Sequence, residues 1–232
     1  MCIRDSPKAG GFDFNLGFLI QKEYDPSVFF LPVDFIYLVL LGIIIGICAE
    51  MYSRYVLLMQ NLGKKWYKNK FVLKMSICGL ILGSIYSFLP STFHNLDELQ
   101  KVIAEQNTSI GIALLAVLVL FITTGLAAAS GAPGGLFYPM LTLGGSIGLI
   151  MGSWVEIATG HAPSTYIFAG MGAFVAGCSR TPITAMFLAF ALTKNLLIMK
   201  PVLISCIASF LIARAFNEES IYERQIQIEL ED

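Results

Sequence analysis

An all-α membrane protein of tilted and broken helices is the fold class this chain predicts, and three observations carry the prediction. Of its 232 residues, 56% are hydrophobic and 13% charged, with a mean hydropathy of +0.73. A soluble domain carries about 25% charged residues, so there is too little polar surface here to face water. The apolar residues gather into runs approaching the ~20 residues that cross a bilayer as a helix, and the length has room for roughly five to eight of them. Glycine or proline breaks several runs, and irregular backbone at membrane depth survives where it is buried in protein or lines a cavity.

The first six residues, "MCIRDS", have a charge but no apolar core behind it, unlike a secretory leader. They resemble adapter-derived sequence, and the expectation is that they are not native and that the natural chain continues upstream. Residues 7–32 carry Pro7, Gly10, Gly11, Pro26 and Pro32 and read as a loop outside the bilayer. A membrane domain is expected over 33–216, followed by a terminal helix and acidic tail over 217–232. Within it, "VDFIYLVLLGIIIGICAEMYSRYVLLMQNLG" predicts one long helix, tilted or partly emerging. Glu50 and Arg54 share a face of that helix at i, i+4 spacing. The pair either marks an ion path in the membrane or lies at the membrane surface, the plainer and expected reading.

Lys64, Lys65, Lys68, Lys70 and Lys74 form the densest basic run, which places residues 60–74 in the cytoplasm by the positive-inside rule, with Trp66 and Tyr67 at headgroup level. "FVLKMSICGLILGSIYSFLP" is the next crossing. Residues 91–109, with His94, Asp97, Glu98, Lys101 and Glu105, read as an outer loop or short surface helix. "SIGIALLAVLVLFITTGLAAAS" crosses back. Shorter pieces follow, with interruptions expected at "GMG" (170–172), "RTP" (180–182) and "MKP" (199–201). Small residues four apart (Gly42 and Gly46, Gly79 and Gly83, Gly144, Gly148 and Gly152) predict close helix packing.

The composition also excludes functions. A net charge of −1 argues against a nucleic-acid partner, which selects a basic face. The five cysteines include no C-x-x-C pair, and the two histidines, His94 and His161, are far apart, so neither a disulfide framework nor a metal site is expected. No H-E-x-x-H or Ser–His arrangement suggests an enzyme, and no cofactor is implied.

"SGAPGGLFYPML" is the most informative stretch. Gly131 and Pro133 shape a turn, Gly134 and Gly135 leave the backbone bare, and Pro139 suits the first turn of a helix, where no N–H is needed. A helix N-terminus carries unpaired donors and partial positive charge, and bare amides there, those of Leu136 and Phe137 first, suit an anion. Read from the residues alone, the turn either holds an anion or is a tight packing turn that binds nothing.

These residues resemble the G-x-F-x-P signature of the CLC family of chloride channels and proton-coupled chloride transporters. "AGMGAFVAGCSRTPITAMFLAFALTKN" resembles the segment that follows it in the family, and "ESIYERQI" resembles the family's final helix. The resemblance covers residues 33–230 or so and is to the second half of a fold built from two inverted repeats. It implies that the amides of Leu136 and Phe137, beside Gly134 and Gly135, hold a central chloride or similar small anion. It further implies that the Tyr222 hydroxyl donates to that anion from the cytoplasmic side, and that segments around 181–213 line a homodimer interface. The family's Gly-(Lys/Arg)-Glu-Gly-Pro and Gly-Ser-Gly-Ile-Pro motifs, which belong to its first half, do not occur. Ala191 stands where many relatives carry an acidic residue, and "LLAVLVLFITT" lacks the basic residue often found there. Two functions are therefore expected of the chain: part of an anion channel or H+/Cl− exchanger, ungated by itself, or a natural half-subunit that assembles with a separately encoded first half.

Overall fold

The computed structural model describes residues 32–66, 71–93, 95, 98–99, 102–103, 109–131, 135–159, 165–193 and 196–230. The expectations for residues 1–6 and for nearly all of 7–32 lie outside them. Helix α1, Pro32–Trp66, is continuous over 35 residues. At 1.5 Å per residue it is about 52 Å long, well beyond the ~30 Å hydrocarbon core. It is followed by α2, Phe71–Ser87, a 3₁₀ turn Ser91–Phe93, and α3, Ile110–Ser130. Then come α4, Phe137–Thr159, α5, Thr165–Ser179, α6, Pro182–Thr193, and a second 3₁₀ turn Leu196–Ile198 that leads into α7, Met199–Phe216. The last helix is α8, Ile221–Leu230. Four stretches, 34–65, 110–130, 137–158 and 199–228, are long and apolar enough to cross a membrane.

Helix α5 is the centre of the molecule. Every residue from 165 to 178 is buried, as befits a helix that is apolar all round. It packs against α4, α7, α1 and α6. The "GMG" at 170–172 does not interrupt it; the expected break is instead unbroken helix. Gly170 faces Gly144 and Gly148 of α4, and a Cβ on any of the three would collide with backbone of the other helix. The glycines serve backbone-to-backbone approach, which a break would have destroyed. Gly42 and Gly46 of α1 meet α7 in the same way, at Ser205, Ala208 and Ser209. Gly79 and Gly83 of α2 correct the packing expectation: nothing lies within 4 Å of a Cβ at either.

The interrupted places that do exist are at helix ends. Gly131 caps α3 in the left-handed region at φ 73°, its N–H bonded to Ala128 O at 3.2 Å. "RTP" separates α5 from α6: the Thr181 carbonyl accepts from Ala185 N at 3.1 Å and Pro182 takes the first helical position. "MKP" likewise falls in the first turn of α7.

The 91–109 region is more than a surface loop. Phe93, Leu99 and Ile103 are buried in the core, while Glu98 is exposed. Elsewhere the exterior is apolar, with Ile36, Leu114, Leu118, Trp154, Ile157 and Ile183 all exposed. Hydroxyls within the helices satisfy themselves locally: Ser53, Thr123, Thr124, Thr142, Ser146 and Thr193 each donate to the carbonyl four residues back. Two instead join helices, Ser205 Oγ donating to Leu38 O at 3.1 Å and Ser209 Oγ to Ala173 O at 2.7 Å, so α7 is bonded to both α1 and α5.

Candidate functional site

The turn between α3 and α4 presents a helix N-terminus of the expected kind. Helix α4 starts at Phe137, and its first bond runs from Met140 N to Leu136 O at 3.1 Å. Leu136 is thus the capping position, with Phe137, Tyr138 and Pro139 forming the first turn. Helix geometry gives the N–H of Phe137 no intrahelical acceptor, and Pro139 has no N–H to satisfy. Gly135 is exposed, and a Cβ there would meet nothing within 4 Å. Leu136 and Phe137 are half-buried and pack on the core. Gly131 closes the other side of the turn. Pro133 and Gly134 lie outside the described residues.

Tyr222 comes from α8, whose main contacts are with α1 and α5. It is 41% exposed. Tyr52 is wholly buried, edge-on to Phe121 of α3 and Phe174 of α5 with ring centroids 5.8 and 5.5 Å apart. Its hydroxyl has no hydrogen-bond partner among the described residues.

Beside Tyr222 is a cluster that sequence reasoning missed. The expected i, i+4 pair of Glu50 with Arg54 is present, and Glu50 itself is buried within the protein. Arg54 is 61% exposed and its Nε donates to Glu50 Oε1 at 2.9 Å. The other partners come from afar. Arg180 Nη2 donates to Glu50 Oε2 at 2.7 Å, and Arg224 forks onto both oxygens at 3.2 Å each. The reason Glu50 is drawn inward is charge: one carboxylate serves two guanidinium groups that are themselves buried. Removing one member of such a buried pair costs about 3–5 kcal/mol, because the others lose their counter-charge. The signal available in the sequence was the isolation of Glu50 and Arg180 next to long apolar runs, where a lone charge needs a partner.

Backbone geometry supports the cluster. Arg180 has φ 62°, the one non-glycine residue in the left-handed region among those described. That conformation costs a side-chain-bearing residue about 1–2 kcal/mol. It ends α5 and turns the Arg180 guanidinium back, so that Nη1 donates to Gly177 O while Nη2 reaches Glu50. Arg224 is aimed by the start of α8, a capping box in which Ser220 N donates to Glu223 Oε2 at 2.6 Å and Glu223 N to Ser220 Oγ at 3.2 Å.

Comparisons with known proteins agree with this architecture. A family profile described as "Voltage gated chloride channel" matches residues 12–214. The chain is 29% identical over 191 residues to the H(+)/Cl(−) exchange transporter ClcA of Vibrio parahaemolyticus, covering 80% of this chain and 41% of that protein. It is 30% identical over 198 residues to ClcA of Salmonella typhimurium, covering 82% of this chain and 42% of that protein. It thus spans about two-fifths of the length of these relatives. In fold it is similar to a slow cyanobacterial Cl−/H+ antiporter, with TM-score 0.76 at 23% identity over 91% of this chain and 49% of that one. A eukaryotic CLC transporter gives TM-score 0.71 at 20% identity, over 87% of this chain and 36% of the other.

Proposed function

Because the chain belongs to the voltage gated chloride channel family, a family of membrane-embedded chloride transporters and channels, we propose that it forms the second half of a pathway for chloride or a similar small anion, working as a channel or H+/Cl− exchanger. The observation that carries this is the N-terminus of α4, where Leu136 and Phe137 offer amides in the first turn and Gly135 keeps the approach clear. Dipoles of this kind draw in an anion without the full charge of a lysine, so the ion can leave again. In this proposal Gly134 and Gly135 admit the anion, Leu136 and Phe137 donate to it, Gly131, Pro133 and Pro139 shape the turn, and the Tyr222 hydroxyl adds a donor from α8.

Residues 60–74 and the C-terminus face the cytoplasm in this reading. Lys64 Nζ donates to Ile228 O at 3.1 Å, and Gln225 to Gln60 at 3.4 Å, so the end of α1, where the basic run begins, and the terminal helix share one side of the molecule. The apolar exposed residues Ile183 and Phe187 of α6 and Ile207 and Leu211 of α7 suit a homodimer contact.

The test is chloride efflux from liposomes holding the full-length protein, followed with a chloride electrode. Tyr222→Phe should lower chloride affinity roughly tenfold, the scale of losing one hydrogen bond to an ion. Absence of chloride flux and binding in the unaltered protein would refute the reading.

A further inference from the structure

Helix α8 poses a physical question: what holds it. It has ten residues, and although Ile226 and Leu230 are apolar they are exposed, so Ile221 is its one buried hydrophobic residue among those described. Its face toward α1 is instead polar. Arg224 reaches Glu50, Gln225 reaches Gln60, and the Ile228 carbonyl accepts from Lys64. Two of these contacts involve groups half open to solvent, where polar pairs contribute little. The third does not: Arg224 and Glu50 are both buried, joined by two parallel bonds, and backed by Arg180. Tyr222 lies two residues before Arg224, in the same first turn of the helix.

We infer that Glu50 is a positioning residue for Tyr222: its carboxylate docks α8 through Arg224 and locks it to the α5–α6 turn through Arg180. The carboxylate gathers three separate parts of the chain, α1 at residue 50, the turn at 180 and α8 at 224, onto one pair of oxygens. Its negative charge is essential, since an amide at the same place accepts fewer bonds and leaves two buried guanidinium groups with no counter-charge. Arg224 fits the role better than lysine would, because its planar fork fixes the rotation of the helix as well as its distance. The inference rests on the proposed part of Tyr222 in anion binding, and deepens it.

The full-length protein with Glu50→Gln tests it on two readouts. The first is trypsin cleavage after Arg224, a bond protected while the side chain is buried; mass spectrometry should show it cut at least tenfold faster in Glu50→Gln and close to the original rate in Glu50→Asp. The second is chloride affinity by calorimetry in a double-mutant cycle. Glu50→Gln and Tyr222→Phe should each weaken binding roughly tenfold, and the double variant should be no weaker than either. Full additivity, or original protease resistance and affinity in Glu50→Gln, overturns the inference. Should Glu50→Gln fail to assemble, Arg224→Lys takes its place, with faster cleavage and weaker chloride binding expected and no change in either overturning it. A protein that binds no chloride at all fails the proposed function instead, while the cleavage rates still decide whether Glu50 docks α8.

Discussion

At the scale of single residues, glycine shows how far identical sequence signals diverge once packed. Gly148 and Gly79 both belong to small-residue pairs four apart, and the sequence offers no means of ranking them. In the fold, a Cβ at Gly148 collides with backbone at Tyr166 and Ile167, whereas one at Gly79 meets nothing within 4 Å. Gly148→Ala should therefore destabilise by about 1–3 kcal/mol, since the neighbour cannot yield. Gly79→Ala should be neutral or stabilise by up to ~1 kcal/mol through helix propensity. Thermal unfolding in detergent, followed by size-exclusion fluorescence, reads both; a loss at Gly79 as large as at Gly148 would mean that another surface lies on α2. Legibility at this scale was likewise uneven. The helix start at Phe137, with Pro139 in its first turn, was readable because a glycine–proline turn before an apolar run has few physical solutions. Arg180 and Arg224 were not, because their shared partner is 130 and 174 residues away along the chain, and no local pattern records such a distance.

Among the elements, helices ended by chemistry were easier to place than helices ended by packing. The start of α6 was visible in "RTP", and the end of α3 in Gly131. The glycines of "GMG" misled because glycine serves two opposed purposes, ending a helix or letting two helices touch, and the choice depends on whether a second backbone is waiting. In α5 it is. The terminal helix contains a further readable sign, the Ser-x-x-Glu spacing of Ser220 and Glu223, which makes reciprocal bonds at 3.2 and 2.6 Å. Ser220→Ala should cost about 1 kcal/mol and loosen the first turn of α8. Hydrogen exchange should then speed up at Glu223 and Arg224 and stay unchanged in α5; equal rates in the two proteins would count against the cap as a determinant of that turn.

For the molecule as a whole, charge and hydropathy predicted a membrane fold, and the apolar exterior together with the self-satisfied hydroxyls bears this out. What composition cannot encode is which apolar surface meets lipid and which meets protein, since both demand the same side chains. The orientation proposed above is testable at this scale. Cysteine introduced at Lys65 and at Gln227, in a background without native cysteines, should react with a membrane-impermeant maleimide in inside-out vesicles and resist it in right-side-out ones. Opposite behaviour of the two positions would contradict the contact between Lys64 and Ile228.

The enclosure of α5 has a consequence for how the protein is made. Its 15 residues reach about 22 Å, short of the bilayer's ~30 Å, and every face from 165 to 178 is taken by other parts of the chain. Such a segment is too short to span the hydrocarbon by itself, so its place in the membrane depends on the helices that enclose it. Because α6 and α7 follow it in the chain, that enclosure is completed only after they have been synthesised.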